Sequence, residues 1–264
     1  MPFSSYLRIW LACARYTIAR TLMFRGDFFI WALVELGWMT VNLFMIAVIY
    51  RHTGSIAGWN EYQMVLLIGT GMLIQRLLMG FFWSSLFDMG RNIRTGAFDF
   101  VLAQPGHPLF MASTRKLDPD SLLNAFVALG VILYAVHKLG LHPGILDVAL
   151  YAGLVLCGLA IHYSILVLSM TLVFWLRNAQ GIEGSYFTLA DFGRLPREAF
   201  KGVFRVLFVW FLPVVVVSNV PARALLDGFS CRWFAWVVLA AIAWFTLAVW
   251  TFGRGLRQYA SASS

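Results

Sequence analysis

Charge is scarce in this chain. Asp, Glu, Lys and Arg supply only 12% of its 264 residues, about half the share found in an ordinary soluble domain. Hydrophobic residues make up 61%, more apolar surface than a water-soluble fold of this length can bury, so the composition excludes a soluble globular protein. Acids are the scarcer sign, 12 against 20 bases, for a net charge of +8. That balance would suit nucleic acid. The bases, however, are spread over the loops between apolar segments, the pattern of topology control and anionic headgroup contact, which argues against nucleic-acid binding. Cysteine is nearly absent: Cys13, Cys157 and Cys231 are odd in number and scattered, so they form neither a disulfide framework nor a metal-ligand pattern. A secretory leader is not expected, because the first long apolar run begins near Phe28 with no small-residue cleavage site behind it.

Catalytic signatures are missing as well. The chain has no GxxxxGK[ST] phosphate loop, no HExxH and no GxSxG. It should therefore not hydrolyse ATP by itself, and no catalytic residue, metal ligand or resident cofactor is predicted.

What is present is six apolar segments, at about 28–50, 62–87, 121–137, 148–175, 203–220 and 233–252. A helical crossing needs about 20 such residues. The expected fold class is all-α integral membrane, a single transmembrane domain over 1–264. It divides into an interfacial helix at 1–27, spans one and two at 28–87, a polar cytoplasmic segment at 88–120, spans three to six at 121–252, and a tail at 253–264. Residues 5–25 interleave Arg8, Arg15, Arg20 and Arg25 with Tyr6, Leu7, Trp10, Leu11, Tyr16, Leu22 and Phe24. This reads as a helix lying at the cytoplasmic interface, with guanidinium heads among phosphates. Trp31, Trp59, Trp83, Trp175, Trp233 and Trp250 fall near span ends, where an indole is half wet.

The fifth segment is the weakest. Pro213 interrupts it and Pro221 ends it, and a proline in a membrane helix invites a kink or a re-entrant turn. The competing crossing is 177–192, followed by a re-entrant outer hairpin through 194–220. Hydropathy and charge favour 203–220. With that choice and the N-terminus inside, fifteen Lys and Arg lie on one side against four on the other (Arg51, Lys138, Arg223 and Arg232). The positive-inside rule then places both termini in the cytoplasm.

Glu35 and Arg76 lie deep in the first and second spans, where each costs roughly 2.5–3.5 kcal/mol on the insertion scale. Each therefore needs a partner or a wet cavity. The two are close enough in depth to pair, as a structural ion pair or as the polar lining of a translocation path or dimer seam. Gly69, Gly71 and Gly80 would permit close approach there. His162, within the fourth span, is either a neutral imidazole bonded to a neighbouring helix or a proton-relay member. Glu35, Arg76 and His162 together define the alternative function, a proton-coupled secondary transporter or channel, although no inverted repeat accompanies them. The 23 Phe and 11 Trp would suit an apolar or cationic amphiphile as cargo, and equally plain lipid-facing packing.

The segment 88–120 is the most specific. It begins DMGRNIRTGAFDFVLAQPGHPLF and predicts a short cytoplasmic helix with Phe98, Phe100, Val101 and Leu102 as an apolar edge. The run from Arg94 through Gly96, Phe98, Asp99 and Leu102 to Pro105, then Pro108-Leu-Phe110 and Leu117-Asp-Pro-Asp120, resembles a group of bacterial ABC exporter permeases. Their loop reads R-x-G-x-F-D-x-x-L-x-x-P followed by an acidic turn. Phe192-Gly-Arg-Leu-Pro196, Phe200, Arg205, Pro213, Pro221-Ala222 and Gly255-Leu-Arg-Gln-Tyr259 fit the same pattern. The resemblance implies a six-span permease of the type-2 ABC exporter fold in the bacterial inner membrane, lacking its own ATPase domain. It implies separate P-loop ATPase subunits that carry ATP and Mg, and a second permease as partner, either a copy of this chain or a related one. It also implies that Gly96–Gln104 is the coupling helix seated in the ATPase, that the N-terminal helix is the interfacial elbow, and that transport is outward.

Overall fold

The computed structural model describes residues 2–176 and 181–259. Within them every regular element is helical. Five helices are long and apolar enough to cross a membrane. These are α2 (Arg25–Tyr50), α3 (Glu61–Thr95), α6 (Pro119–Lys138), α7 (Ile145–Phe174) and α11 (Cys231–Gln258). Preceding them, α1 (Phe3–Met23) is set off from α2 by Phe24, whose φ of −112° and ψ of 57° break the helix. It is docked by Tyr6, whose hydroxyl accepts the His107 N–H at 3.0 Å and whose ring meets Phe110 edge-on at 4.8 Å.

The centre of the bundle is α3. An Asn60/Gln63 capping box starts it, each side chain accepting the other's backbone N–H at 2.9 Å. Helix α6 runs along α3, α7 packs against α11, and α10 (Val216–Leu226) wedges between α3 and α7. By contrast, α2 buries only Ala32, Met39 and Ile46, a single stripe at seven-residue spacing. Its Trp31, Trp38 and Phe44 face outward, as lipid permits. The glycines of the second span serve this internal packing. Gly69 abuts Val131 and Ile132 of α6, Gly80 abuts Leu122, and Gly71 faces Ser218 of α10.

Helix α3 is longer than its hydropathy suggests. It passes through a π-bulge at Met79–Trp83 and continues to Thr95, so residues 88–95 are helical rather than loop. A bulge releases backbone carbonyls from the regular ladder. Here the Gly80 carbonyl accepts the Asp118 N–H at 2.9 Å, and Ser84 Oγ donates to both Asp118 carboxylate oxygens at 2.8 and 2.7 Å. The start of α6 is thereby fixed to the bulge.

The fifth crossing corrects the favoured reading. Residues 177–180 lie outside the described residues, but the course after them is plain. On α8 (Ile182–Phe192), Tyr186 sits beside Trp83 and His162. Arg194 next reaches Asn42 and Gln75. Glu198 then meets Trp59, in the loop between α2 and α3, accepting its indole N–H at 3.0 Å. The chain thus climbs from the end that holds α1 to the opposite end. It turns back along α9 (Gly202–Phe211), where Phe208 lies 4.4 Å from Phe192. It bends by 85° around Pro213 and returns through α10 to bring Arg223 to Glu198 at 3.0 Å. Residues 203–220 are therefore not a straight span but part of a re-entrant hairpin. Hydropathy cannot distinguish the two, because apolar non-spanning backbone is tolerated at membrane depth when protein covers it. Charge counting failed for a related reason: Arg197, Lys201 and Arg205 belong to the far end and Arg194 to the bundle. Among the described residues the bias falls to ten against seven. Trp59 is likewise not half wet but 1% exposed, with Arg223 stacked 4.7 Å over its ring.

A cysteine at Lys201, in a chain with Cys13, Cys157 and Cys231 replaced, is expected to react with a membrane-impermeant maleimide from the same side as a cysteine at Thr53. Reaction from the opposite side would restore 203–220 as a straight span.

Candidate functional site

Two regions carry the residues picked from the sequence, one in the bundle and one at the end that holds α1. In the bundle, Glu35 of α2 and Arg76 of α3 meet at 2.7 Å, their side chains 12% and 8% exposed. The carboxylate also accepts from Ser121 Oγ at 3.0 Å and from Asn124 Nδ2 at 3.1 Å, both on α6. Asn124 in turn donates to the Ala32 carbonyl at 3.3 Å. Three helices are thus joined through one carboxylate. A buried charge survives only with this kind of compensation. Arg76 has less of it, since among the described residues its guanidinium reaches, beyond Glu35, only Met79 Sδ at 3.8 Å.

A second cation escaped the sequence reading. Arg194, assigned there to a polar loop, donates to Asn42 Oδ1 at 2.7 Å and Gln75 Oε1 at 3.0 Å, and lies 3.3 Å from Asp191. Gln75 neighbours Arg76 in sequence, so the two guanidinium groups mark one polar belt across α2, α3 and the chain leaving α8. The available signal was the pair of amides Asn42 and Gln75 at membrane depth, which require partners. His162 stands apart from Glu35 and Arg76. Its Nδ1 is 3.0 Å from the Tyr186 hydroxyl, both residues buried. A relay through all three is not assembled.

At the other region, α3 ends at Thr95 and Gly96 takes the left-handed φ of 76° that a helix C-terminus favours in glycine. The single-turn helix α4 (Asp99–Leu102) follows, then α5 (Pro108–Ser113). Arg94 and Pro105 are exposed. The expected apolar edge is only half right. Phe100 is 77% exposed and Leu102 38%, but Phe98 is wholly buried and Val101 nearly so. Phe98 lies edge-on to Phe174, Phe252 and Tyr259, with centroids 6.0, 6.5 and 5.7 Å away. The Tyr259 hydroxyl donates to the Gly96 carbonyl at 3.0 Å. Thus Phe98 roots the loop in the ends of α7 and α11, and Phe100 is its protruding tip. The burial has a local cause: the turn at Gly96 reverses the chain, and the Phe98 N–H returns to the Asn92 carbonyl at 3.1 Å.

A family model described as ABC-2 family transporter protein matches residues 36–263. The chain belongs to the ABC-2 transporter family. Comparison with curated proteins and with solved structures finds no match. The match covers all five long helices apart from the first turns of α2, along with the Glu35 partner Arg76 and the whole 94–105 segment. This ABC-2 protein is therefore a multi-pass membrane component of a transporter, of the permease type. Permeases of this family work in general with ATPase subunits.

One titrating group of the ABC-2 protein sits just before α6. Burial raises the Asp118 carboxyl from its ordinary 3.8 to about 6, opposed by the Ser84 hydrogen bond and reinforced by the negative charge of Asp120 and Glu35. A carboxyl with a raised folded pKa binds its proton more tightly in the folded state. Its stabilisation is complete below about pH 4 and is lost as pH rises through 6. Thermal unfolding of the detergent-solubilised protein is expected to show a falling contribution over that window, absent in Asp118→Asn. A slope unchanged by the substitution would assign the effect to another group.

Proposed function

We propose that this chain is the permease subunit of an ATP-driven ABC exporter. It lies in the bacterial inner membrane with both termini in the cytoplasm, and forms the translocation path with a second permease, a copy of itself or a related chain. Separate ATPase subunits carry ATP and Mg. The observation that carries this reading is the construction of the 94–105 segment in a member of the ABC-2 family: an exposed Phe100 tip with a Phe98 root. ATP binding closes the ATPase pair and presses on the tip. The load passes through Phe98 to the ends of α7 and α11, so the lever acts on two spans at once. Arg94, Gly96, Asp99, Leu102 and Pro105 shape the tip, whereas Phe98 transmits. Glu35 and Arg76, with Arg194, form the polar belt that borders the path. Transport requires that the two states differ in affinity for the cargo. The remaining excess of cations at the α1 end, ten against seven among the described residues, supports the cytoplasmic assignment.

The test is a gentle-detergent pull-down of the tagged chain from its native membrane, followed by mass spectrometry. Near-stoichiometric recovery of a P-loop ATPase is expected, and the presence or absence of a related permease distinguishes heterodimer from homodimer. Repeated recovery of the chain alone in several detergents would overturn the exporter reading. It would favour a secondary transporter that needs no ATPase, with Glu35 and Arg76 as its working residues.

A further inference from the structure

A cavity of about 850 Å³ opens between α1, the start of α2, and the α3–α6 side of the bundle. Its size is within the roughly 300–1,000 Å³ range of ligand sites. Four cations and four carboxylates line it, and half of them are already satisfied. Asp88 is paired with Lys116 and, at 2.7 Å, with Arg91. Asp118 is held by Ser84. That leaves Arg20 of α1 and Arg115 before α6 without a hydrogen-bond or ion-pair partner among the described residues. Opposite in sign, the Asp27 and Asp120 carboxylates, in the first turns of α2 and α6, also line the cavity; among the described residues neither has a cation within ion-pair distance, although the charge of Arg76 acts on Asp120. The mouth is aromatic: Phe24 and Trp31 line it and are 58% and 60% exposed.

We propose that this cavity binds the headgroup of an aminophospholipid such as phosphatidylethanolamine. Arg20 and Arg115 supply two guanidinium groups for one phosphodiester, the pairing such groups favour. Asp27 and Asp120 receive the ammonium, and the acyl chains leave past Phe24 and Trp31 into the bilayer at the level where an interfacial helix lies. An anionic lipid would satisfy the arginines but leave two carboxylates facing it. A zwitterion with a primary ammonium matches both signs. The site fastens α1 to the bundle through a lipid, beside its direct contact at Tyr6. It does not depend on whether an ATPase binds.

The test uses the full chain purified in nanodiscs of mixed phosphatidylethanolamine and phosphatidylglycerol, with native mass spectrometry of the lipids retained after release. Wild type is expected to keep phosphatidylethanolamine above its bulk share. Arg115→Gln should lower that retention by about tenfold, as loss of a charge-assisted bond implies, while Arg115→Lys keeps part of it. Asp27→Asn should shift the preference toward phosphatidylglycerol. Arg20→Gln, at an exposed position on α1, serves as the second cation variant should Arg115→Gln alter the elution profile. Retention at the bulk ratio, or enrichment that survives both arginine variants, overturns the proposal. So does equal retention of both lipids, which would mark an anion site only. Displacement of the bound lipid by millimolar inorganic phosphate would overturn it in favour of a free phosphate ligand.

Discussion

Phe98→Asp is expected to prevent a stable fold, not merely to disturb transport. The ring is fully buried among Phe174, Phe252 and Tyr259. Truncating such a ring to alanine costs about 3–5 kcal/mol. A carboxylate in the same place adds the desolvation of an unpaired charge. Fluorescence-detected size-exclusion and thermal melting should show aggregation or a large fall in melting temperature. Phe100→Asp is the informative partner. At 77% exposure it should melt and elute like wild type, yet lose recovery of the ATPase in the pull-down and stimulation of ATP hydrolysis by cargo. A Phe98→Asp protein that melts normally would show that the loop is not rooted there. Normal ATPase recovery by Phe100→Asp would remove Phe100 as the docking tip.

The second large effect concerns the buried ion pair. Breaking such a pair by removing one partner costs about 3–5 kcal/mol, because the other charge is left behind. Glu35→Gln and Arg76→Gln should each destabilise the protein, and the double substitution should cost less than their sum. The two single changes should not be equal. Without Arg76, the Glu35 carboxylate keeps Ser121 and Asn124. Without the Glu35 charge, Arg76 retains an amide oxygen and Met79 Sδ. Glu35→Gln is therefore the costlier, and denaturant unfolding in a mild detergent measures all three. Strict additivity would mean that the two side chains act separately.

The long apolar spans, the separate N-terminal helix and the meeting of Glu35 with Arg76 follow from composition and depth, quantities that a bilayer makes strict. The fifth crossing was less legible. A hairpin whose second limb packs on α3 and α7 has the same hydropathy as a span. Arg197 and Arg223 are compensated by Glu198 and by the Trp233 and Trp59 rings, so they sit at the far end despite their charge. Arg194 was overlooked because its partners are amides distant in sequence. Phe98 was misplaced because a turn at Gly96 decides which side of a single-turn helix faces inward, and composition carries no sign of that. The resemblance in the 94–105 run located the segment; packing assigned its residues their parts.

The 202–226 hairpin also bears on how the protein matures. Neither limb, Gly202–Phe211 or Val216–Leu226, approaches the roughly 20 apolar residues that a segment needs to enter a bilayer by itself. Its seat exists only once α3 and α7 stand side by side, presenting Gly71 to Ser218 and Gly158 to Val217. Synthesis delivers α3 and α7 before the hairpin and α11, the last span, after it. The nascent chain must therefore hold an unsettled apolar segment at the membrane until α3 and α7 have paired. That makes the hairpin the late-closing keystone of biogenesis, and the place where a packing defect would leave the protein inserted but unfinished.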